Sequence, residues 1–228
     1  MVDQDRAIFA RRVRSFVRRP GRLTPAQQRA LDELLPDYAV DPALNDLRLA
    51  FATDAPVVVE IGFGNGEALA WMAGREAERN FVGIEVHEPG VGRLLRQLEA
   101  LGLGNVRVAM RDAVEVLTEQ VVPASLAQVR VYFPDPWPKK RHHKRRIIQP
   151  AFVDRIAECL MPGGLLHLAT DWQPYAEWMV EVLAGCERFA NEGDPYVERP
   201  DWRPRTRFEQ RGLVRGHQIF DLLYRRLP

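Results

Sequence analysis

Five short apolar runs, each closing on an acidic residue, alternate with helix-forming stretches over residues 57–184. The first is Val57-Val58-Val59-Glu60-Ile61. The second, 81–85, ends at Glu85. The third, 106–110, is followed by Arg111-Asp112, the fourth, 128–133, by Pro134-Asp135, and the fifth, 165–170, by Asp171. Continuous rather than alternating apolar character marks strands buried on both faces. Helical patterns fall between them at 67–77, 89–101, 113–120, 148–160 and 172–184, with Pro162-Gly163-Gly164 separating a helix from the strand after it. Strands that alternate with helices form a parallel sheet covered on both sides, and right-handed crossovers make it doubly wound. The chain therefore reads as α/β, with a doubly wound, mostly parallel sheet. Ligands in such sheets bind beyond the carboxyl ends of the strands, where the strand order reverses. All five acids stand at those ends. A late run, 217–225, alternates poorly and reads as an inner strand.

The first strand runs into Gly62-Phe63-Gly64-Asn65-Gly66. Glycines here let backbone approach a nucleotide-like ligand closely. A carboxylate ending the second strand, Glu85, suits a ribose diol. Both features serve a dinucleotide or S-adenosylmethionine equally. Spacing separates them. The dinucleotide fingerprint G-x-G-x-x-G would put its third glycine where Glu67 stands, and a carboxylate there faces a pyrophosphate unfavourably. Glu60, just before the turn, suits a ligand carrying an ammonium group, as the methionine end of S-adenosylmethionine does. Asp112 is placed to accept from the adenine amino group. Gly62, Gly64, Gly66, Glu60, Glu85 and Asp112 are thus the candidate cofactor residues, and a nicotinamide-dependent oxidoreductase is the rival enzyme class.

After the fourth strand comes Pro134-Asp135-Pro136-Trp137-Pro138, then Lys139-Lys140-Arg141-His142-His143-Lys144-Arg145-Arg146 without an acid. Each proline fixes its own φ and pushes the residue before it toward extended geometry. Asp135 and Trp137 are expected on a stiff extended rim. The fourth strand should neighbour the first across the switch point, which sets Asp135 beside the cofactor. A carboxylate, an indole and a block of cations at one strand end suit an anionic, flat-ringed substrate, and nucleic acid fits best. The alternatives are a proline-stiffened turn with a solvated basic face, and an RNA-binding module whose cofactor pocket is degenerate.

Overall charge adds nothing, since Lys plus Arg is 32 against Asp plus Glu of 31. Distribution adds more. Residues 6–22 hold seven arginines and no acid, and Arg203, Arg205, Arg207, Arg211 and Arg215 form a third basic block. Separate basic blocks on a near-neutral chain indicate a localised patch. Cys159 and Cys186 lie far apart without ligand-like neighbours and read as reduced core thiols in a cytoplasmic protein. The paired histidines lack a second ligand cluster, so no metal is expected. No apolar stretch approaches the roughly 20 residues of a spanning helix, no secretion signal is seen, and nothing signals an obligate protein partner. Residues 1–55 read as a basic arm and capping helix. The helix starts at Thr24-Pro25-Ala26-Gln27 through a capping box and runs to about Leu35, before Pro36; a short helical turn lies within 44–51. Residues 56–228 read as the main domain.

Glu60-Ile61-Gly62-Phe63-Gly64-Asn65-Gly66, Phe133-Pro134-Asp135-Pro136-Trp137-Pro138-Lys139 with its basic run, Thr170-Asp171, and Thr206-Arg207-Phe208-Glu209 with Arg211-Gly212 together resemble the bacterial tRNA (guanine-N7-)-methyltransferases. Arg14-Ser15-Phe16 with Gly21-Arg22 and Thr24 fits that family's N-terminal arm, so the resemblance covers nearly the whole chain. Arg207 stands where the family usually has Lys, which keeps the charge but changes a point donor to a planar fork. The resemblance implies a Rossmann-like methyltransferase fold with a basic N-terminal extension. It implies methyl transfer from S-adenosylmethionine, leaving S-adenosylhomocysteine, to N7 of guanosine 46 in the tRNA variable loop. Carried over by motif, cofactor contacts fall on Glu60, Glu85, Asp112 and Asp135. Substrate contacts fall on Lys139, Asp171, Thr206, Arg207, Phe208 and Glu209. RNA contacts fall on Arg141, His142, His143, Lys144, Arg145 and Arg146. Guanine N7 carries a free lone pair and needs no general base, so the expected catalytic group is a carboxylate that fixes the base and offsets its growing charge. Asp135 is that candidate, with Asp171 second. Trp137 either stacks on the base or packs under the loop.

Overall fold

The computed structural model describes Ser15, Phe16 and residues 21–228. Most of the expected arginine-rich arm, 1–22, lies outside the described residues. Helix α1 (Pro25–Glu33) begins as its sequence dictates: Thr24 accepts from the Gln27 backbone N–H while the Gln27 side chain reaches back to the Thr24 N–H. Pro36 does not end helical structure. It sits in the first turn of a second short helix, α2 (Leu35–Tyr38), where a missing N–H leaves no bond unmade. A 3₁₀ turn, Leu47–Ala50, precedes the sheet.

The strands β1 (Val57–Ile61), β2 (Asn80–Ile84), β3 (Val106–Ala109), β4 (Leu126–Tyr132) and β5 (Leu160–Thr170) are joined by α3 (Glu67–Arg75), α4 (Glu88–Leu101), α5 (Ala113–Glu119) and, between β4 and β5, α6 (Pro150–Cys159). After β5 come α7 (Gln173–Ala184), β6 (Phe189–Asn191), α8 (Arg207–Val214) and β7 (Phe220–Arg226). The sheet order is β3-β2-β1-β4-β5-β7-β6. β1 to β5 pair in parallel, while β7 runs antiparallel to both β5 and β6. The late strand is thus an inner one, starting at Phe220. Neither β6 nor α8 announces itself in the sequence: one is three residues long, the other polar.

β1 shows why the sheet is covered on both sides. Val57, Val59 and Ile61 join a core with residues of α5, α6 and α7; Val58 joins a second core with residues of α1, α3 and α4. The order reverses between β1 and β4, whose register pairs Glu60 with Arg130. That reversal opens a crevice at the strand ends.

Candidate active site

The glycine turn spans this crevice. Gly66 caps α3 at φ 74°, a left-handed conformation that costs other residues about 1–2 kcal/mol. A Cβ there would fall 2.6 Å from Leu94 Cδ1. α4 closes on the turn so tightly that a Cβ on Gly90 would sit 2.1 Å from the Gly64 carbonyl oxygen. Glu85 is held by three backbone donors: Gly64 N–H at 2.9 Å to one oxygen, Val86 and His87 N–H at 2.7 and 3.0 Å to the other. Its carboxylate is therefore fixed beneath the turn. Asp112 caps α5 by accepting from Val114 N–H at 2.9 Å, between the cleft-lining Arg111 and Ala113.

One cleft of about 220 Å³ is lined by Gly62, Gly64, Glu85, Tyr132, Phe133, Asp135 and Phe208, among others. The structure thus brings Asp135 to the glycine turn. Ser15 and Phe16 also line it, so the family-like Ser-Phe of the N-terminal stretch reaches the cleft. A smaller adjoining cavity is lined by Glu60, Gly66, Glu67, Thr206, Arg207 and Phe208, among others. Glu60 is 3% exposed, and its Oε2 has no hydrogen-bond partner among the described residues. Burial raises its pKa from the ordinary 4.5 to about 7, against the pull of the Arg130 charge.

The Pro-Asp-Pro-Trp segment departs from the extended rim its prolines suggest. Phe133 and Trp137 have φ of 52° and 45°. The Trp137 indole donates to the Ser15 carbonyl at 3.2 Å, meets His142 edge-on and lies under Arg145. Those contacts hold the ring in place and over-determine a sparsely populated backbone. Trp137 is half-buried and held by these contacts.

The basic run forms a 3₁₀ helix, Lys140–Arg145, with Lys139 at its N-cap. Lys139, Arg141 and Lys144 are exposed; His142, His143 and Arg145 are half-buried. Slight desolvation, then Arg141, Arg145, Lys139 and Lys144, hold His142 below the usual imidazole range. Arg146 corrects the sequence reading. It is 3% exposed, donates to the Pro136 carbonyl at 3.0 Å and the Pro174 carbonyl at 3.4 Å, and lies over Tyr175. It braces the loop from beneath rather than standing at the surface.

Asp171 Oδ2 lies 3.0 Å from His217 Nδ1 and backs onto Gly212, where a Cβ would fall 2.9 Å away. Thr206 caps α8 by accepting from Glu209 N–H at 3.1 Å. Arg207 pairs with Glu67 at 2.9 Å, joining α8 to α3 across the turn, and Phe208 is 56% exposed over the cleft. Glu209, expected at the substrate, is instead 3% exposed and paired with Arg203 at 2.6 Å. Arg203, the first residue of the third basic block, is thereby removed from the surface. Sequence reasoning also missed Arg130, Tyr132 and His167. Their signal was polar residues at alternate positions inside runs read as apolar.

A glycine turn, a buried carboxylate with one oxygen unpartnered among the described residues, and a second carboxylate at the neighbouring strand end meet at the crevice of a doubly wound sheet, where such folds bind ligands. Residues 54–222 match the family described as putative methyltransferase. A tRNA (guanine-N(7)-)-methyltransferase of Halorhodospira halophila is 55% identical over 96% of both chains, and one of Aeromonas hydrophila is 52% identical over 96% of this chain and 94% of its own. The chain belongs to the tRNA (guanine-N(7)-)-methyltransferase family. Among solved structures, an rRNA methylase from Streptococcus thermophilus shares the fold at 15% identity and a TM-score of 0.53, covering 91% of this chain and all of its own. Among the described residues no helix is long and apolar enough to cross a membrane, and no cluster of three His, Cys, Asp or Glu could hold a metal.

Proposed function

We propose that the protein transfers a methyl group from S-adenosylmethionine to N7 of guanosine 46 in the variable loop of tRNA, leaving S-adenosylhomocysteine and 7-methylguanosine. The observation that carries this reading is that Asp135 and the glycine turn line one cleft, with exposed Lys139, Arg141 and Lys144 close behind Asp135 in sequence. The relatives' names supply the tRNA and the guanine nitrogen; the resemblance supplies position 46.

The residues present fit the donor. Glu60 offers an unsatisfied carboxylate oxygen in the small cavity beside the turn, suited to the methionine ammonium. Glu85, fixed by three backbone donors, keeps lone pairs for a ribose diol. Asp112 stands one strand further on for the adenine amino group. The donor contributes a methyl group on a positively charged sulfur. As the N7–C bond forms the S–C bond breaks, and positive charge passes to the guanine ring.

The protein's work is placement. Holding N7 in line with the methyl can supply roughly 7–11 kcal/mol. Asp135 accepts from guanine N1–H and N2–H and offsets the charge on the ring; Asp171, with Thr206 and Phe208, stands further along the same rim. N7 of paired RNA lies in a deep groove that side chains do not read, so the base must be exposed or turned out. Lys139, Arg141, Lys144 and Arg145 grip the flanking phosphates.

Labelled S-adenosylmethionine and unmodified tRNA test the reading. Label should appear as 7-methylguanosine, and a tRNA with adenosine at position 46 should stay unlabelled. A digest without 7-methylguanosine sinks the proposal. Asp135→Ala should lower turnover about 10²–10³-fold while tRNA binding persists.

A further inference from the structure

A buried run of charged and hydrogen-bonding groups leads from the cleft wall to α8. Tyr132 lines the cleft, and its hydroxyl lies 2.9 Å from His167 Nδ1. His167 Nε2 lies 2.8 Å from Asp221 Oδ1. Burial keeps the phenol protonated and holds the imidazole below its usual range. One proton arrangement then satisfies both contacts: the phenol donates to Nδ1, and Nε2–H donates to the carboxylate. Arg203 grips both oxygens of Asp221, with Nε donating to Oδ1, the oxygen His167 also meets, at 2.7 Å and Nη2 to Oδ2 at 2.8 Å. Its third arm, Nη1, donates to Glu209 Oε2 at 2.6 Å. Arg199 Nε, 3.8 Å from Glu209 Oε1, balances the second carboxylate. Two carboxylates and two cations thus continue the run beyond the neutral imidazole, and Arg203 itself is 0% exposed.

α8 has little else to dock it. Its buried residues are Glu209 and Gly212, while Phe208, Leu213 and Val214 are exposed. Eight residues do not hold a helix alone in water, and a helix without a buried apolar face gains little from packing. The Arg203–Glu209 pair holds the first turn from inside, and the Arg207–Glu67 pair spans it from outside. Between them Phe208 stands over the cleft, 3.7 Å from where a Cβ on Gly64 would be.

We infer that Arg203 is a positioning residue for methyl transfer. It sets where Thr206, Arg207 and Phe208 stand over the cleft, and through Asp221 and His167 it locks that placement to Tyr132 in the opposite wall. The inference rests on the methyl-transfer reading above.

The test uses the full chain carrying Arg203→Lys, Glu209→Gln, or both. Melting temperature is measured first; S-adenosylhomocysteine affinity, tRNA affinity, single-turnover transfer to unmodified tRNA and hydrogen exchange of amides 209–214 are then measured well below each variant's melting transition. Each single variant should slow transfer at saturating substrates about 10–100-fold, as misplacement by an ångström does. Each should speed exchange of the α8 amides and leave tRNA affinity little changed. The double variant should be no slower than the worse single, because the pair acts as one unit. Transfer at the wild-type rate, or slowed transfer with α8 exchange unaltered, overturns the inference. Should Arg203→Lys fail to fold, Glu209→Gln decides alone, since it leaves the Arg203–Asp221 clamp in place. Unmodified tRNA left unlabelled by the wild type would sink the tRNA reading instead, while α8 exchange and cofactor affinity would still decide the positioning claim.

Discussion

The glycine turn and helix α8 reach the same cleft by different means. The turn is local: β1, five residues and α3 are contiguous, and left-handed glycines with backbone donors shape the pocket. α8 arrives from more than a hundred residues later and is moored by buried ion pairs rather than apolar packing. The first wall is built from backbone geometry, which tolerates almost no change. The second is built from charges whose partners lie on β7 and the segment before α8, and its exposed tip is free to vary without harm to the core.

Three substitutions sharpen or break this contrast. Gly66→Ala should have the largest effect. It adds left-handed strain to an overlap with Leu94, about 2–5 kcal/mol in all, and chemical denaturation will show it as a lowered midpoint. A wild-type midpoint would mean the turn is more pliable than its geometry indicates.

Glu60→Gln comes next and carries a pH signature. The folded pKa of about 7 lies above the ordinary 4.5, so the fold favours the neutral acid. The stabilisation is fully present below 4.5 and is lost as pH rises through 7, about 3 kcal/mol in total. Without cofactor, the wild type should therefore lose stability relative to Glu60→Gln between pH 5 and 8. Melting curves that stay parallel across that range would show that burial does not perturb Glu60.

Phe208→Ala should have the smallest effect on the fold. A side chain 56% exposed leaves stability within about 0.5 kcal/mol when truncated. Losing an aromatic wall of the cleft should still weaken S-adenosylhomocysteine binding about 2–10-fold, measured by calorimetry. Unchanged affinity would separate α8 from the cofactor side of the cleft.

Much of the site could be read in the letters. The five strand-end acids follow from period and punctuation, because strands, glycines and prolines act on their immediate neighbours. Thr24 and Gln27 form their capping box for the same reason. Arg146 could not be told from Lys144 by sequence, since both sit in one basic run and only the approach of Pro136, Pro174 and Tyr175 buries one of them. Glu209 shares a motif with Thr206 and Phe208, and only the fold sets Arg203 against it.

The sequence by itself determined the alternation of strands and helices, the glycine turn and the acids at strand ends, since each depends on residues within a few positions of one another. Only the tertiary structure decided which cations face solvent, that Glu60 keeps an oxygen unpaired among the described residues, and that Arg203 joins Glu209 of α8 to Asp221 of the sheet. Burial and charge pairing depend on distances across the fold, and a linear pattern carries no record of them.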